Sequence, residues 1–588
     1  MLKKTTWIIG TALLVTMLLA SCGKSQTPTT QTSTATTTKT TTTATAAPTT
    51  VLPITSPVIP KETQLPTYGG SPTFAATRAF TTWDPAGAPS YMQIYLSMFD
   101  PVVGADMTKT PAGNGEWGYL NTYIPQQYLV GILAESFEQP DPATVIWHVR
   151  KGVHFQNKPP ANGRELVAAD FVYCINRIQA DVRSAWYKPD PKLLAVPTAL
   201  DKYTVQVKLG VLSVEAFRTS VQVYPPEAVQ TYGNLEDWRN LCGTGPFILT
   251  DCVADSSLTY KKNPTYWRFD ENHPQNRMPY WDGYRYIIIP DTQTTMAALR
   301  TGKIDMYTVS MNDAQTMWKT SPDLKWVTRG QESNNMIDLR TDIAPFSDIR
   351  VRKALSMAID RKGIIDSYYL GHADILEWPY FDSMADVYTP LDKLPADVKE
   401  NFSYDPTKAR QLLADAGYPN GFSTELVTVT TTPAPDLAAL VKSYWDGIGV
   451  KTTISAGDPN VVMPTLWVCS YKQTALDLGW GNTSPWSVNT AAYRGKVKYS
   501  SRWNYSNIND DNLDQWTDKL LVTIDPVERN KGLIDQGVYE LSKCYNIQLP
   551  RPQNFTFFQP YLMGYHGEMS GWGERSWIDQ KLKAQMGR

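Results

Sequence analysis

The sequence predicts an α/β protein of more than one lobe, and three observations predict it. The chain has 588 residues, well past the length at which a single hydrophobic core stops growing. Strand-like and helix-like patterns alternate through the body without a short internal repeat, which speaks against solenoids and propellers. Between residues 421 and 454 the pattern forms a β-α-β unit, the building block of a sheet covered by helices.

The elements follow in order. Residues 133–137, then 145–150, followed by Gly152-Val153-His154-Phe155, read as a strand, a turn and a second strand. Residues 165–178 read as a helix, with Val172, Ile175 and Ile178 at helical spacing. Gly243-Thr244-Gly245-Pro246-Phe247 leads into a strand whose hairpin partner holds Leu258-Thr259-Tyr260. Its Gly-x-Gly is a weak phosphate-loop signal, because Pro246 removes an amide and no Gly-Lys-Ser/Thr or Rossmann spacing follows. Residues 286–289 read as an apolar strand, 294–300 as a short helix, and Gly302-Lys303-Ile304-Asp305 as a turn into another strand.

A helix begins at Pro345-Phe346-Ser347-Asp348, with Val351, Ala354, Leu355, Ala358 and Ile359 on one apolar stripe, and Asp360-Arg361 breaks it and caps the next segment. A second helix is marked by Asp405 at the N-cap, Pro406 at N1, Ala409, Leu412, Leu413 and Ala416 inward, and Gly417 at the C-cap. Residues 421–427 then form a strand, 436–445 a helix and 450–454 another strand.

Composition narrows the function. With 55 basic and 57 acidic side chains the net charge is near zero, so no field for nucleic acid follows. Aromatics are 11% of the chain, with 19 Trp and 32 Tyr, against 19% charged residues; such a surplus serves core packing or stacking on peptides and sugars. Six Cys without a Cys-x-x-Cys pair, and five scattered His, argue against zinc ribbons, redox motifs and iron-sulfur sites. The chain reads as metal-free and without a cofactor.

The N-terminal residues indicate a compartment. Lys3 and Lys4 precede a mostly apolar run over residues 7–20, closed by Leu19-Ala20-Ser21-Cys22. The run is too short to span a bilayer comfortably. The tetrad resembles the lipobox of bacterial lipoproteins, which implies a signal peptide over residues 1–21 and lipidation of Cys22. An ordinary secretory peptide cut elsewhere is the alternative, and it leaves the protein exported but free. Residues 22–62 are a Thr-rich tether with too little apolar surface to fold. Forty such residues reach roughly 35 Å. Of the other five Cys, Cys242 and Cys252 are the closest pair in sequence, and no connectivity follows from that.

A longer series carries a family resemblance over residues 83–577. Leu133-Ala134-Glu135-Ser136, Arg150-Lys151-Gly152-Val153-His154-Phe155, Ala169-Asp170-Phe171-Val172, Gly243-Thr244-Gly245-Pro246-Phe247, Asn263-Pro264-Thr265-Tyr266-Trp267, Gly302-Lys303-Ile304-Asp305, Pro345-Phe346-Ser347-Asp348-Ile349-Arg350-Val351-Arg352-Lys353-Ala354 and Ala358-Ile359-Asp360-Arg361 match in order and spacing. Together they resemble the family 5 extracellular solute-binding proteins of ABC importers. The resemblance implies a two-lobed, periplasmic-binding-protein-like α/β clamp with mixed sheets and an enlarged first lobe. Residues 63–315 would form lobe I with its extra subdomain and residues 316–545 lobe II, while residues 546–588 return to lobe I. The crossings would fall near residues 309–326 and 546–550. It also implies a monomer without enzymatic activity, working with an ABC permease and separate ATPase subunits, and touching the membrane through the lipid anchor alone. Its place is the outer face of the bacterial cytoplasmic membrane or the periplasm.

The ligand reading rests on residues 476–486. In peptide-binding members of that family a carboxylate shortly after a Gly-Trp pair anchors the peptide's α-ammonium, a charge-assisted bond worth roughly 1.5 to 3 kcal/mol. Here Gly479-Trp480-Gly481-Asn482-Thr483-Ser484-Pro485 has no acid. Asp477 lies two residues upstream of Gly479, on the same strand face, and stands in for it. The candidate ligand-binding set is therefore Asp477, Gly479, Trp480, Asn482, Trp486, Trp503 and Tyr505, with an oligopeptide as ligand and an oligosaccharide as the alternative. Arg350, Arg352 and Arg361 read as helix-surface or lobe-stabilising ion pairs. Asn507 to Asp511 with Asp518 has a vague calcium-loop spacing but lacks the Gly at position six and the final Glu. A secreted hydrolase has no supporting Gly-x-Ser-x-Gly or His-Glu-x-x-His motif. A surface adhesin suits the tether and leaves the family pattern unexplained.

Overall fold

The structure, a computed structural model, describes residues 64–588 apart from 78–81, 88–96, 120–122, 185–186, 188–190, 215–217, 219–220, 331–333, 376–378, 383, 468–469, 482–503 and 570. Cys22 and the tether lie outside the described residues.

A mixed sheet organises the first lobe. Its strands run in the order Lys325–Gly330, Arg551–Phe558, Met306–Val309, Thr73–Ala76, Gly283–Ile288, Ser257–Lys262 and Phe247–Val253, and Ala373–Asp374 also pairs with the 551–558 strand. The 73–76 strand is parallel to both of its neighbours, and the other pairings are antiparallel. Residues alternate between the faces: Phe555 and Phe557 join Leu299, Met311 and Met317 in one core, while Phe558 joins Phe74, Phe247 and Trp281 in the other.

An antiparallel four-stranded sheet enlarges this lobe, in the order Ala134–Asp141, Thr144–Val149, Thr204–Lys208 and Val196–Ala199. Helix Ala168–Ala180 packs on it through Phe171. The helix starts three residues later than the pattern predicts. Glu165 is held in extended backbone by a bridge to His154, and the Asp170 carboxylate accepts the Val167 amide at 2.9 Å. The same carboxylate meets Arg164 at 2.7 Å.

The second sheet orders Lys451–Gly457, Ser423–Val429, Thr474–Gly481, Asn334–Leu339 and Asn546–Gln548. Its β-α-β unit pairs in parallel from Ser423 with Lys451 to Val429 with Gly457, around helix Ala434–Gly447. Caps fix the helices beneath it. Asp348 accepts the Arg350 amide at the head of Ile349–Met357, Asp360 that of Gly363, and Asp405 that of Lys408. Gly417 has φ +94° and follows the C-cap Ala416, one residue beyond its expected place.

Among the described residues, two of the three arginines are not in ion pairs. Arg350 does pair with Asp348, at 2.6 Å. Arg352 and Arg361 are buried and donate to carbonyls instead: Arg352 to Phe346, Ser347, Lys543 and Cys544, and Arg361 to Gln548 at 2.8 Å and Ser356 at 3.0 Å. Their guanidiniums tie the 349–357 and 361–367 helices to the chain around residues 543–548, where five N–H donors suit several carbonyls at once.

The passages between sheets lie side by side. Helix Met311–Thr320 occupies the expected first crossing, and the 325–330 strand after it still pairs in the first sheet, so the chain changes sheets between Gly330 and Asn334. It returns between Gln548 and Arg551. The Leu549 amide donates to the Asn335 carbonyl at 2.8 Å, and Asn335 Nδ2 donates to the Pro550 carbonyl at 3.2 Å.

Cys174, Cys242, Cys252 and Cys544 are free thiols, and burial pushes Cys242 up to about 12. In the vague calcium-loop segment, Asp510 caps helix Asp511–Leu520 and accepts the Tyr539 and Tyr545 hydroxyls at 2.7 and 2.5 Å. Among the described residues no group of three or more His, Cys, Asp or Glu could hold a metal ion, and no helix is long and apolar enough to cross a membrane.

Candidate ligand-binding site

A cavity of about 470 Å³ lies on one face of the first sheet. Register explains why these residues share it. Phe74 pairs with Tyr286 and with Met306, and Thr308 pairs with Thr556, so all face one side together with Tyr284. The Thr308 and Thr556 hydroxyls meet at 2.8 Å. Trp572, which follows the last long strand, stands edge-on to Phe74 at 5.8 Å and to Trp281 at 5.9 Å. The Tyr284 hydroxyl donates to Ser97 at 2.6 Å. The walls are thus aromatic and already ordered.

One end of the cavity is ionic. Asp100 is buried, with Oδ1 accepting the Tyr266 hydroxyl at 2.7 Å and Oδ2 the Trp267 indole N–H at 3.0 Å. Burial pushes its carboxyl above the usual range, against the opposing pull of Arg268 and those donors. Arg268 meets Glu271 at 2.7 Å. Arg575 donates to Glu271 at 2.5 Å through Nη2 and to Glu574 at 2.9 Å through Nη1. Burial works to raise the Glu271 carboxyl, but Arg575 and Arg268 hold it down to about 2. An apolar chamber with a few convergent polar groups is the general form of a small-ligand site.

Of the sequence-predicted set, Asp477, Gly479 and Trp480 lie on the 474–481 strand of the second sheet, with Asp477 opposite Met336. Asn482, Trp486 and Trp503 lie outside the described residues. Tyr505 is buried, and its carbonyl accepts the Tyr471 hydroxyl at 2.5 Å. Beside it the Ser506 hydroxyl donates to Asp338 Oδ1 at 3.1 Å, and burial lifts the Asp338 carboxyl to about 7 against that donor.

Sequence reasoning missed the first-lobe cavity. Asp100, Arg268, Trp572 and Glu574 come from three distant segments outside the singled-out motifs, whereas Pro246 and Phe247 of the wall lay in one of them. The signal that pointed to the rest was the expected return of the C-terminal residues to the first lobe.

Comparison with known proteins extends the geometry. Residues 129–505 match the bacterial extracellular solute-binding proteins, family 5. The chain belongs to that family. Heme-binding protein A of Haemophilus influenzae is 29% identical over 355 residues, covering 54% of this chain and 60% of that one. Glutathione-binding protein GsiB of Escherichia coli is 25% identical over 337 residues, covering 56% of this chain and 61% of that one. The matched regions therefore span about three fifths of the length of these curated relatives. Among solved structures, the family 5 chain superposes on DppA of Helicobacter pylori in complex with the peptide STSA, with TM-score 0.68, 21% identity and coverage of 87% and 99%. AppA of Bacillus subtilis in complex with a nonapeptide gives TM-score 0.67, 19% identity and coverage of 87% and 100%. The shared fold is the two-lobed binding-protein clamp.

Proposed function

We propose that this family 5 protein is the solute-capture subunit of an ABC importer, holding an oligopeptide-type ligand between its lobes and delivering it to a membrane permease driven by separate ATPase subunits. The observation that carries this reading is the 470 Å³ aromatic chamber with its ionic end on the first lobe. Its volume falls in the range of small-ligand pockets, and side chains of this kind bind apolar groups along a peptide while a few polar groups fix its orientation. Two proteins of the same fold hold peptides, STSA and a nonapeptide. Asp477 of the second lobe neutralises the peptide's α-ammonium, and Gly479, Trp480, Asn482, Trp486, Trp503 and Tyr505 complete that wall. Hinge closure then couples occupancy to shape. An oligosaccharide is the second reading, favoured by the stacking faces and by the absence of an acid in residues 479–485.

The protein acts as a monomer outside the cytoplasmic membrane, held by lipid on Cys22 and the tether of residues 22–62. Mass spectrometry of small molecules released from the purified protein tests the ligand class: peptides support the first reading, neutral oligosaccharides the second, and neither class sinks both. Membrane fractionation of Cys22→Ala tests the anchor, which is wrong if the variant stays lipid-modified and membrane-bound.

A further inference from the structure

The ionic end of the cavity contains a guanidinium with most of its donors unfilled. Arg268 is 8% exposed and lines the cavity. Its Nη2 donates to Glu271 at 2.7 Å, whereas the nearest Glu574 oxygen stands 3.9 Å from Nη1, beyond hydrogen-bond reach. Among the described residues its guanidinium has no other hydrogen-bond acceptor. A guanidinium carries five N–H donors, and those not spent on Glu271 are available at the cavity wall that Arg268 lines.

The neighbouring acids are already engaged. Both Asp100 oxygens accept from Tyr266 and Trp267, Glu271 accepts from Arg575 through Nε and Nη2, and Glu574 accepts from Arg575 Nη1. Glu574 and Asp100 are the acids that line the cavity beside an incoming anion, and the ion pair of Glu574 with Arg575 offsets its repulsion. Arg268 thus has donors available in a cavity otherwise walled by Phe74, Trp281, Tyr284 and Trp572.

We propose that Arg268 anchors a carboxylate of the bound ligand, so that the protein selects ligands in which a carboxylate is joined to an apolar or ring-shaped body. The inference rests on the solute-capture reading above. Two carboxylate oxygens match the planar donor edge of a guanidinium, and the pair gains strength where water is excluded. The carboxylate belongs either to the C-terminus of a peptide or to a uronic acid of a sugar.

Calorimetry with the full-length protein separates these sources and tests the anchor. The probes are Leu-Leu-Leu, its C-terminal amide, a trisaccharide ending in a uronic acid, and the methyl ester of that trisaccharide. The expected result is that in one pair, peptide or sugar, the charged member binds the wild type at least tenfold more tightly than its neutral counterpart. In Arg268→Gln the two members should bind within twofold of each other, and Arg268→Lys should restore part of the difference. Equal binding of charged and neutral members to the wild type overturns the anchor and leaves solute capture standing. A charged-over-neutral preference that persists in Arg268→Gln also overturns it. Failure of all four probes to bind counts against the solute-capture reading itself, and the anchor falls with it. The comparison between probes needs no variant, so a folding defect in Arg268→Gln does not protect the proposal.

Discussion

The Tyr123 hydroxyl donates to Asp386 Oδ2 at 2.6 Å, joining segments 263 residues apart. The Val214 amide donates nearby to the Leu521 carbonyl at 3.1 Å, and Tyr123 and Val214 share a buried cluster with Tyr380, Phe381, Leu520 and Leu533. These contacts join chain before the first sheet-to-sheet passage to chain after it, so they form a second tie between the lobes besides the passages. Tyr123→Phe keeps the ring and deletes the bond to a carboxylate. It should lower stability by roughly 1.5 to 3 kcal/mol and raise the radius of gyration in small-angle scattering. An unchanged scattering curve would show that this bond does not restrain the lobes.

Asp338 gives the fold a pH dependence of defined sign. Burial pushes its folded carboxyl up to about 7 against the Ser506 hydrogen bond, whereas an unfolded Asp titrates near 3.9. Between those values the folded state holds the extra proton, so stability falls as pH rises and levels off above about 7. Asp338→Asn should therefore leave stability nearly unchanged at pH 4 and raise it at pH 8, by roughly 1 to 4 kcal/mol. Urea denaturation at both pH values measures this, and equal effects at the two would refute it.

Arg361→Lys should destabilise the protein by about 3 kcal/mol, the scale of two lost hydrogen bonds to a charged donor. Lysine keeps the charge but cannot reach the Gln548 carbonyl, the Ser356 carbonyl and the Ser356 hydroxyl together, as the guanidinium does. A thermal melt reads the loss. Arg350→Lys serves as the contrast, since Arg350 lies at the surface with Asp348, and it should change stability by less than about 1 kcal/mol.

Asp477→Asn separates the two ligand classes. For a peptide, removing the counter-charge should weaken binding by roughly ten- to a hundredfold, and N-acetylation of the peptide should have a similar effect in the wild type. For a neutral oligosaccharide the substitution should change affinity less than about threefold. Peptide binding that is lost on acetylation, yet unaffected in Asp477→Asn, would move the α-ammonium anchor to another residue.

Local signals were legible in the sequence. Asp348, Asp360 and Asp405 declare their helices because a cap needs only its own first turn, and residues 421–454 declare a parallel pair because the connecting helix lies between the strands. Non-local partners were not. Arg352 and Arg361 looked like ion-pairing groups because their carbonyl partners belong to residues 543–548 and to turns that no spacing predicts. Glu165 resembled a first-turn helix residue, yet the Gly152 amide and the Lys202 ammonium, distant in sequence, hold it in extended chain. The cavity is the extreme case: Asp100 meets Tyr266, and Glu271 meets Arg575, across separations of 166 and 304 residues.

The position of the 551–558 strand constrains how the molecule is made. It lies inside the first sheet, between the 325–330 and 306–309 strands, yet it is synthesised long after both of them. While residue 500 is leaving the ribosome, the 306–309 strand lacks the neighbour that should pair with Val309 through Met306, and its open edge invites wrong partners. The second sheet also waits, for the 546–548 strand. Neither sheet can finish vectorially, so both complete almost together once the full chain is available. Such long-range closure is slow. The native state is therefore a property of the chain as a whole, since neither sheet can close before the strands at residues 546–548 and 551–558 are available to both.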